Sequence, residues 1–313
     1  MAGAAESIRL RGQPSPAGVA GRAQRRAARR SWLVPLALLL PSGLALGGII
    51  LYPLTYSLYL SFHELPLFGA RPRFVGLEQF RRLLASDWFW HDLWNTTVFT
   101  AGSVLVQLTA GVGLALLLNR LRTGRSVLRG LLLAPYIVPT VVVALLWRWV
   151  LNDLYGIIPH LLTTLGIPSP QWLANPSWAM ATVIGINAWM FFPFVLLVVM
   201  ARLEGVPPSL YEAAALDGAG GWQRFRYVTL PQLREVLVVV GLLRGIWMFN
   251  KFDSVWLITA GGPVGATETL PILGYIASFA RFDLGAGAAV GTVVFAIIMA
   301  LTVAYLWLLR TEE

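Results

Sequence analysis

The sequence predicts an all-α polytopic membrane protein with six transmembrane helices, and three observations carry that expectation. Apolar residues make up 57% of the 313-residue chain and charged ones only 12%, about half the charged share of a soluble domain. The apolar residues gather into six runs, each near the roughly 20 residues that a helix needs to cross a bilayer core. The basic residues fall in the gaps between those runs, and they fall unevenly.

The runs lie at about 32–60, 94–118, 128–150, 178–200, 236–259 and 284–309. The first carries Pro35, Pro41 and Pro53 and is expected as one kinked helix. It is too long for the apolar core of a cleaved signal peptide, and its basic leader is too extended. Residues 1–31, rich in Ala, Gly and Arg, are expected as a disordered cytoplasmic tail. A single membrane domain then occupies 32–309, with a cytoplasmic loop at 202–232 and a short cytoplasmic C-terminus at 310–313. Sixteen of the 24 basic residues lie before the first run, in the second–third and fourth–fifth connections, or after the last run; five lie in the other connections. That asymmetry places both termini in the cytoplasm. The net charge of +9 is therefore an orientation signal, and no nucleic-acid partner is expected. The absence of cysteine excludes disulfide and thiolate chemistry. His63, His91 and His160 are scattered outside the runs without metal-ligand spacing.

Three connections face the other side. Residues 61–93 bring Trp88 and Trp90, with Trp94 just beyond, to the membrane surface as an aromatic belt. Residues 151–177 are rich in Pro and Gly and lack Lys and Arg; residues 260–283 form the third connection.

The cytoplasmic segment 210–233, LYEAAALDGAGGWQRFRYVTLPQL, is built like a short soluble helix. Ser209 is expected as its N-cap with Glu212 completing a capping box. Pro207 and Pro208 stop the preceding span. Ala213, Ala214 and Ala215 favour helix, and Gly218 suits a left-handed C-cap. A second short helical stretch is expected at WQRFRYV before Leu230-Pro231. A helix this short is marginal in water, so it either packs beneath the bundle or docks on a partner. Its Ala-rich face allows close approach.

Here the chain resembles a known family. Glu212-Ala213-Ala214, Gly218, Val228 and Leu230-Pro231 are similar to the EAA loop of ABC importer membrane subunits, with Val228 in place of the family's Ile. Asp217-Gly218-Ala219 is the variant typical of carbohydrate importers, and residues 134–162 and 252–279 are similar to stretches of sugar permeases. The resemblance covers most of 32–309 and points to the first, maltose-type permease of the pair. It implies a type I importer permease fold in the inner membrane, and an ATPase-coupling role for Glu212, Ala213, Ala214, Asp217, Gly218, Leu230 and Pro231. It also implies a second homologous permease, an ATPase homodimer that uses ATP and Mg, and an extracytoplasmic solute-binding protein as partners. The implied mechanism is alternating access for a sugar.

The chain carries no phosphate-binding Gly-rich loop, so ATP chemistry belongs to another polypeptide and no cofactor is expected on this one. An intramembrane protease needs a buried Ser–His pair, and a magnesium-dependent transferase needs clustered acids; the runs offer neither. A stand-alone secondary transporter or channel is the alternative. It predicts internal repeats, which the sequence does not show, and it leaves the cytoplasmic helix without a role.

The fifth run is unusually polar, with Arg244, Asn250, Lys251 and Asp253 among Trp247, Phe249, Phe252 and Trp256, expected in one helix. Ionisable groups in a span face the bundle interior or a wet cavity. They either pair structurally or line a path for a sugar, which needs amides and carboxylates beside aromatic planes. The substrate-pathway candidates are Asn250, Asp253 and Phe249 first, Asn187 and Trp189 next, with Lys251 alongside. The loops 61–93 and 260–283 are expected to meet the binding protein, with Thr267 or Glu268 as crosslinking positions.

Overall fold

Residue 35 and residues 37–65, 72–121 and 123–310 are described in the computed structural model, the side chains of 308–310 excepted. The tail expected over 1–31 and residues 311–313 lie outside the described residues. Two compact units divide the chain between Ser57 and Leu58.

Helix α1, Ala37–Leu60, is apolar on every face, and none of its most apolar window is buried. Leu38, Leu44, Ile49 and Tyr52 all expose more than half of their surface. A helix apolar all round in this way suits a hydrocarbon solvent. Its path passes through a π-helical turn at Gly47–Leu51.

The second unit opens with a two-residue hairpin, β1 His63–Glu64 against β2 Arg73–Phe74, antiparallel. The short helix α2, Glu78–Leu84, follows. Helix α3, Asp87–Arg120, starts earlier than the apolar run, and its extra turns carry the belt tryptophans, which are more than half exposed. Its buried side recurs every three or four residues through Phe89, Asp92, Thr96, Phe99, Ser103, Gln107, Gly111, Ala115 and Leu118. Small and polar residues dominate that stripe, as expected where helices approach closely in lipid.

The stripe packs on α7, Pro176–Glu204, the most buried of the long helices. A Cβ added at Gly111 would lie 2.6 Å from Val195 Cβ and 3.0 Å from the Leu196 amide nitrogen. Gly111→Ala is therefore expected to lower thermal stability in detergent, at a cost of about 1–3 kcal/mol for overpacking. Gly113→Ala, where the added carbon meets nothing within 4 Å, is the matched control and is expected to be neutral or slightly stabilising.

Where one span was expected over 128–150, two helices occur. Helices α4, Arg125–Ile137, and α5, Thr140–Val150, meet at 94°. Pro139 forces the residue before it out of helical conformation, and Val138 is extended at φ −72°, ψ 133°. The connection after α5 holds a helix missed in the sequence, α6, Ile157–Thr164.

Beyond α7 come α8, Pro208–Leu216, and α9, Gly221–Arg224, which runs into a π-helical turn at Phe225–Thr229. Helix α10, Leu230–Phe249, then stops, and α11, Asp253–Thr259, starts afresh. The single helix expected over 236–259 is thus broken. Asn250 and Asp253 flank the break, and their side chains favour helix ends over interiors. Arg244, Asn250, Lys251 and Asp253 consequently do not share one helix. Helix α12, Leu270–Tyr275, continues through a π-helical turn to Ala280, and α13, Leu284–Arg310, closes the chain. Among the described residues, four helices are long and apolar enough to cross a membrane, or five if the α4–α5 pair is one crossing.

Candidate functional site

The coupling candidates and the pathway candidates fall in two separate places. At the first, α8 begins with Pro207 as N-cap and Pro208 in the first turn, without a side-chain cap. The expected Ser209–Glu212 capping box does not form. Proline's fixed φ suits the first helical position, which puts Ser209 at the second helical position, two places past the N-cap. The C-terminus is as expected. Gly218 has φ +77°, the Ala219 amide donates to the Ala214 carbonyl at 2.9 Å, and the Gly218 amide donates to Ala215 at 3.1 Å. This bond pair is the Schellman termination.

Glu212, Ala213 and Asp217 are exposed on α8, while Ala214 is half-buried. Leu216 is 90% exposed. The segment is nevertheless tied to the bundle. The Tyr211 hydroxyl lies 3.1 Å from that of Thr229. Arg202 Nε donates to the Gln232 carbonyl at 2.9 Å, joining the end of α7 to the start of α10 just past Leu230-Pro231. Arg125 pairs with Glu204 at 2.8 Å.

At the second place, a cavity of about 330 Å³ is lined by Tyr136, Phe191, Arg244, Trp247, Asn250 and Lys251, among others. Arg244 is 1% exposed. Its Nε donates to Gln107 Oε1 at 2.7 Å, and its guanidinium lies 4.7 Å from the Phe191 ring centre and 5.3 Å from that of Trp247. Lys251 Nζ lies 4.6 Å from the same Phe191 ring and 2.9 Å from Asp253. Aromatic faces and hydrogen-bonding groups therefore converge on one wall.

Of the pathway candidates, Asn250 and Lys251 line this cavity and Asp253 is held beside it through Lys251. Three others sit elsewhere. Phe249 is buried against Phe89, Leu270 and Val290 on the other side of α10. Asn187 is fully buried, accepting from Ser254 Oγ at 2.7 Å and donating to the Val183 carbonyl at 2.9 Å, and so joins α7 to α11. Trp189 is partly exposed and edge-on to Trp147. Sequence reasoning missed Tyr136, Phe191 and Gln107. Gln107 had a readable signal, being a lone amide within an apolar run.

The loop after α11 is pinned to the start of α3. Asn95 Nδ2 donates to the carbonyls of Gly265 and Glu268, both at 3.0 Å. Burial pushes the Glu268 carboxyl up, against the opposing pull of Arg281 and His91. Thr267 is fully buried, its hydroxyl 2.6 Å from that of Thr259 and donating to the Gly262 carbonyl at 2.8 Å. It is therefore unsuited to crosslinking, whereas Val264 at the loop tip is 88% exposed.

A multi-pass helical bundle with an exposed, capped short helix and a cavity lined by aromatic, amide and cationic side chains has the make-up of a membrane transport subunit. Residues 107–311 match the model of the family described as binding-protein-dependent transport system inner membrane component. The chain belongs to that family. It is 38% identical over 273 residues to the inner membrane ABC transporter permease protein YcjO of Escherichia coli (strain K12), covering 85% of this chain and 92% of that one. It is 35% identical over 257 residues to the trehalose/maltose transport system permease protein MalF of Thermococcus litoralis, covering 82% and 87%. Among solved structures, a chain of a bacterial ABC transporter involved in the import of the acidic polysaccharide alginate superposes with a TM-score of 0.76 at 23% identity, covering 90% of this chain and 98% of that one. The fold is that of a type I ABC importer permease, and the protein is a multi-pass inner-membrane permease subunit.

Proposed function

We propose that this chain is one of two permease subunits of an ATP-driven importer that takes a sugar or sugar derivative from an extracytoplasmic binding protein. The observation that carries the reading is the Schellman-capped helix α8, held to the bundle at one end and presenting Glu212 and Leu216 outward. A separate ATPase pair, using ATP and Mg, engages that helix, and this chain itself binds no cofactor. Six crossings result when α4–α5 count as one bent span and α10–α11 as one broken span, with both termini on the arginine-rich cytoplasmic side. The relatives favour a carbohydrate. Besides the trehalose/maltose permease, the chain is 35% identical to a sulfoquinovosyl glycerol transport permease of Agrobacterium fabrum and 34% identical to a diacetylchitobiose uptake permease of Streptomyces coelicolor.

The substrate path passes the Asn250–Lys251–Asp253 break. Asp253→Ala removes the partner of Lys251 and is expected to abolish uptake while leaving assembly and basal ATP hydrolysis in place. Reconstitution of the chain with its ATPase and binding protein checks this. Sugar transport by this chain alone in liposomes would replace the importer reading with a stand-alone transporter. On the outer face, a photocrosslinker at Val264 is expected to capture the sugar-loaded binding protein in the presence of a non-hydrolysable ATP analogue. Absence of that crosslink would remove the 260–269 loop from the docking surface.

A further inference from the structure

A second cavity, of about 710 Å³, lies between the coupling segment and the ends of α3 and α7, lined among others by Asn119, Arg120, Leu203, Tyr211, Trp222 and Arg224. Its lining holds two guanidinium groups and no carboxylate. Two nearby cations are satisfied, Arg125 by Glu204 and Arg202 by Gln232. Arg224 is not: its Nε is buried without a hydrogen-bond partner. A buried donor left unmade is costly, the more so on a charged group. Two guanidinium forks, with the Tyr211 and Thr229 hydroxyls and the Asn119 amide nearby, are the donor set that a phosphate takes.

Two features point to where that phosphate comes from. Arg120 is the last residue of a membrane-length helix, so the cavity sits at the level where lipid headgroups lie. Trp222, 73% exposed with its ring 5.5 Å from that of Phe225, is a side chain typical of that level. On the neighbouring face of the same final turns of α3, a groove of about 380 Å³ is lined by seven leucines between Leu114 and Leu132. It is wholly apolar in side chain, as an acyl chain requires.

We propose that this cavity binds the phosphate of an anionic phospholipid, which braces the coupling segment against the ends of α3 and α7. Binding depends only on this chain; the effect on coupling rests on the importer reading. The purified chain is placed in nanodiscs of phosphatidylcholine with increasing phosphatidylglycerol and its retained lipids are counted by native mass spectrometry. The wild type is expected to retain one phosphatidylglycerol. Arg120→Gln, at an exposed side chain, is expected to weaken retention about tenfold, the equivalent of one charged hydrogen bond. Arg120→Gln with Arg224→Gln is expected to abolish it, and the paired Lys variants to keep most of it. Arg226→Gln, outside the cavity, is the control and is expected to match wild type. Retention by Arg120→Gln at the wild-type level, or equal retention of phosphatidylcholine, overturns the proposal. Arg224-dependent thermal stabilisation by glucose 6-phosphate in pure phosphatidylcholine, without phosphatidylglycerol retention, overturns the lipid assignment. Loss of lipid retention with intact transport removes the bracing role and leaves the importer reading standing, whereas retention by a wild-type chain that transports no sugar with its ATPase and binding protein overturns the importer reading and leaves the lipid site standing.

Discussion

Gly218→Val is expected to leave the chain in the membrane and to cut substrate-stimulated ATP hydrolysis and uptake by about ten- to a hundredfold. The residue closes α8 at φ +77°, a conformation that costs a β-branched residue roughly 1–3 kcal/mol. That penalty is comparable to the whole stability of a nine-residue helix. No atom lies within 4 Å of a Cβ added at Gly218, so backbone conformation alone sets the cost. The ranking of variants follows from that. Asn, which visits the left-handed region readily, should come nearest wild type, Ala should lie between, and Val should be worst. A ranking by side-chain volume would place Asn beside Val, and full transport by the Val variant would end the case for α8 as the coupling element. Membrane insertion and association with the ATPase are measured alongside.

The second large effect is expected at Arg244. Arg244→Leu leaves Gln107 buried with only the Met248 sulfur, 3.5 Å from its Nε2, as a partner. Gln107→Leu leaves a buried guanidinium with only aromatic faces and the Met248 sulfur, 3.9 Å from its Nη2, as partners. Each single change should be strongly destabilising, because each orphans a buried polar group. The double change to Leu removes both groups and should cost less than the sum, with a coupling of about 1.5–3 kcal/mol as for a hydrogen bond to a charged group. Denaturation in mixed detergent micelles measures this cycle. Uptake should fall in both variants that lack Arg244, since it lines the polar cavity. Strict additivity of the two stability losses would show that the 2.7 Å contact contributes nothing.

What could be read in the sequence was what short-range chemistry decides. Hydropathy located the long helices, and Gly218 announced its own conformation, because only a left-handed residue closes that helix. The Pro207–Pro208 pair was read as a stop signal, yet it also displaced the N-cap and so dissolved the Ser209–Glu212 box. Pro139 turned one expected span into two helices, since hydropathy measures solvent preference and is blind to direction. The break at Asn250 was hidden for the same reason. The candidate pathway residues separated by facing. Asn250 and Lys251 reached the cavity while their neighbour Phe249 turned into the core. Rotation about a helix axis that ends one residue later leaves no periodic trace. Tyr136 and Phe191 come together with α10 only through tertiary packing, which no local pattern encodes.

The close approach of Gly111 to Val195 has a mechanical consequence. With the Val195 side chain seated directly on the Gly111 backbone, α3 and α7 cannot slide past one another without collision, so they behave as one stiff strut. Packed interiors transmit displacement instead of absorbing it, and domain motions concentrate at a few residues where regular structure stops. In this chain the compliant points beside the strut are the corner at Val138–Pro139 and the gap at Asn250–Phe252. On the proposed coupling role of α8, a push delivered through it is expected to travel along the strut and to be taken up at those two hinges. The second of them borders the polar cavity.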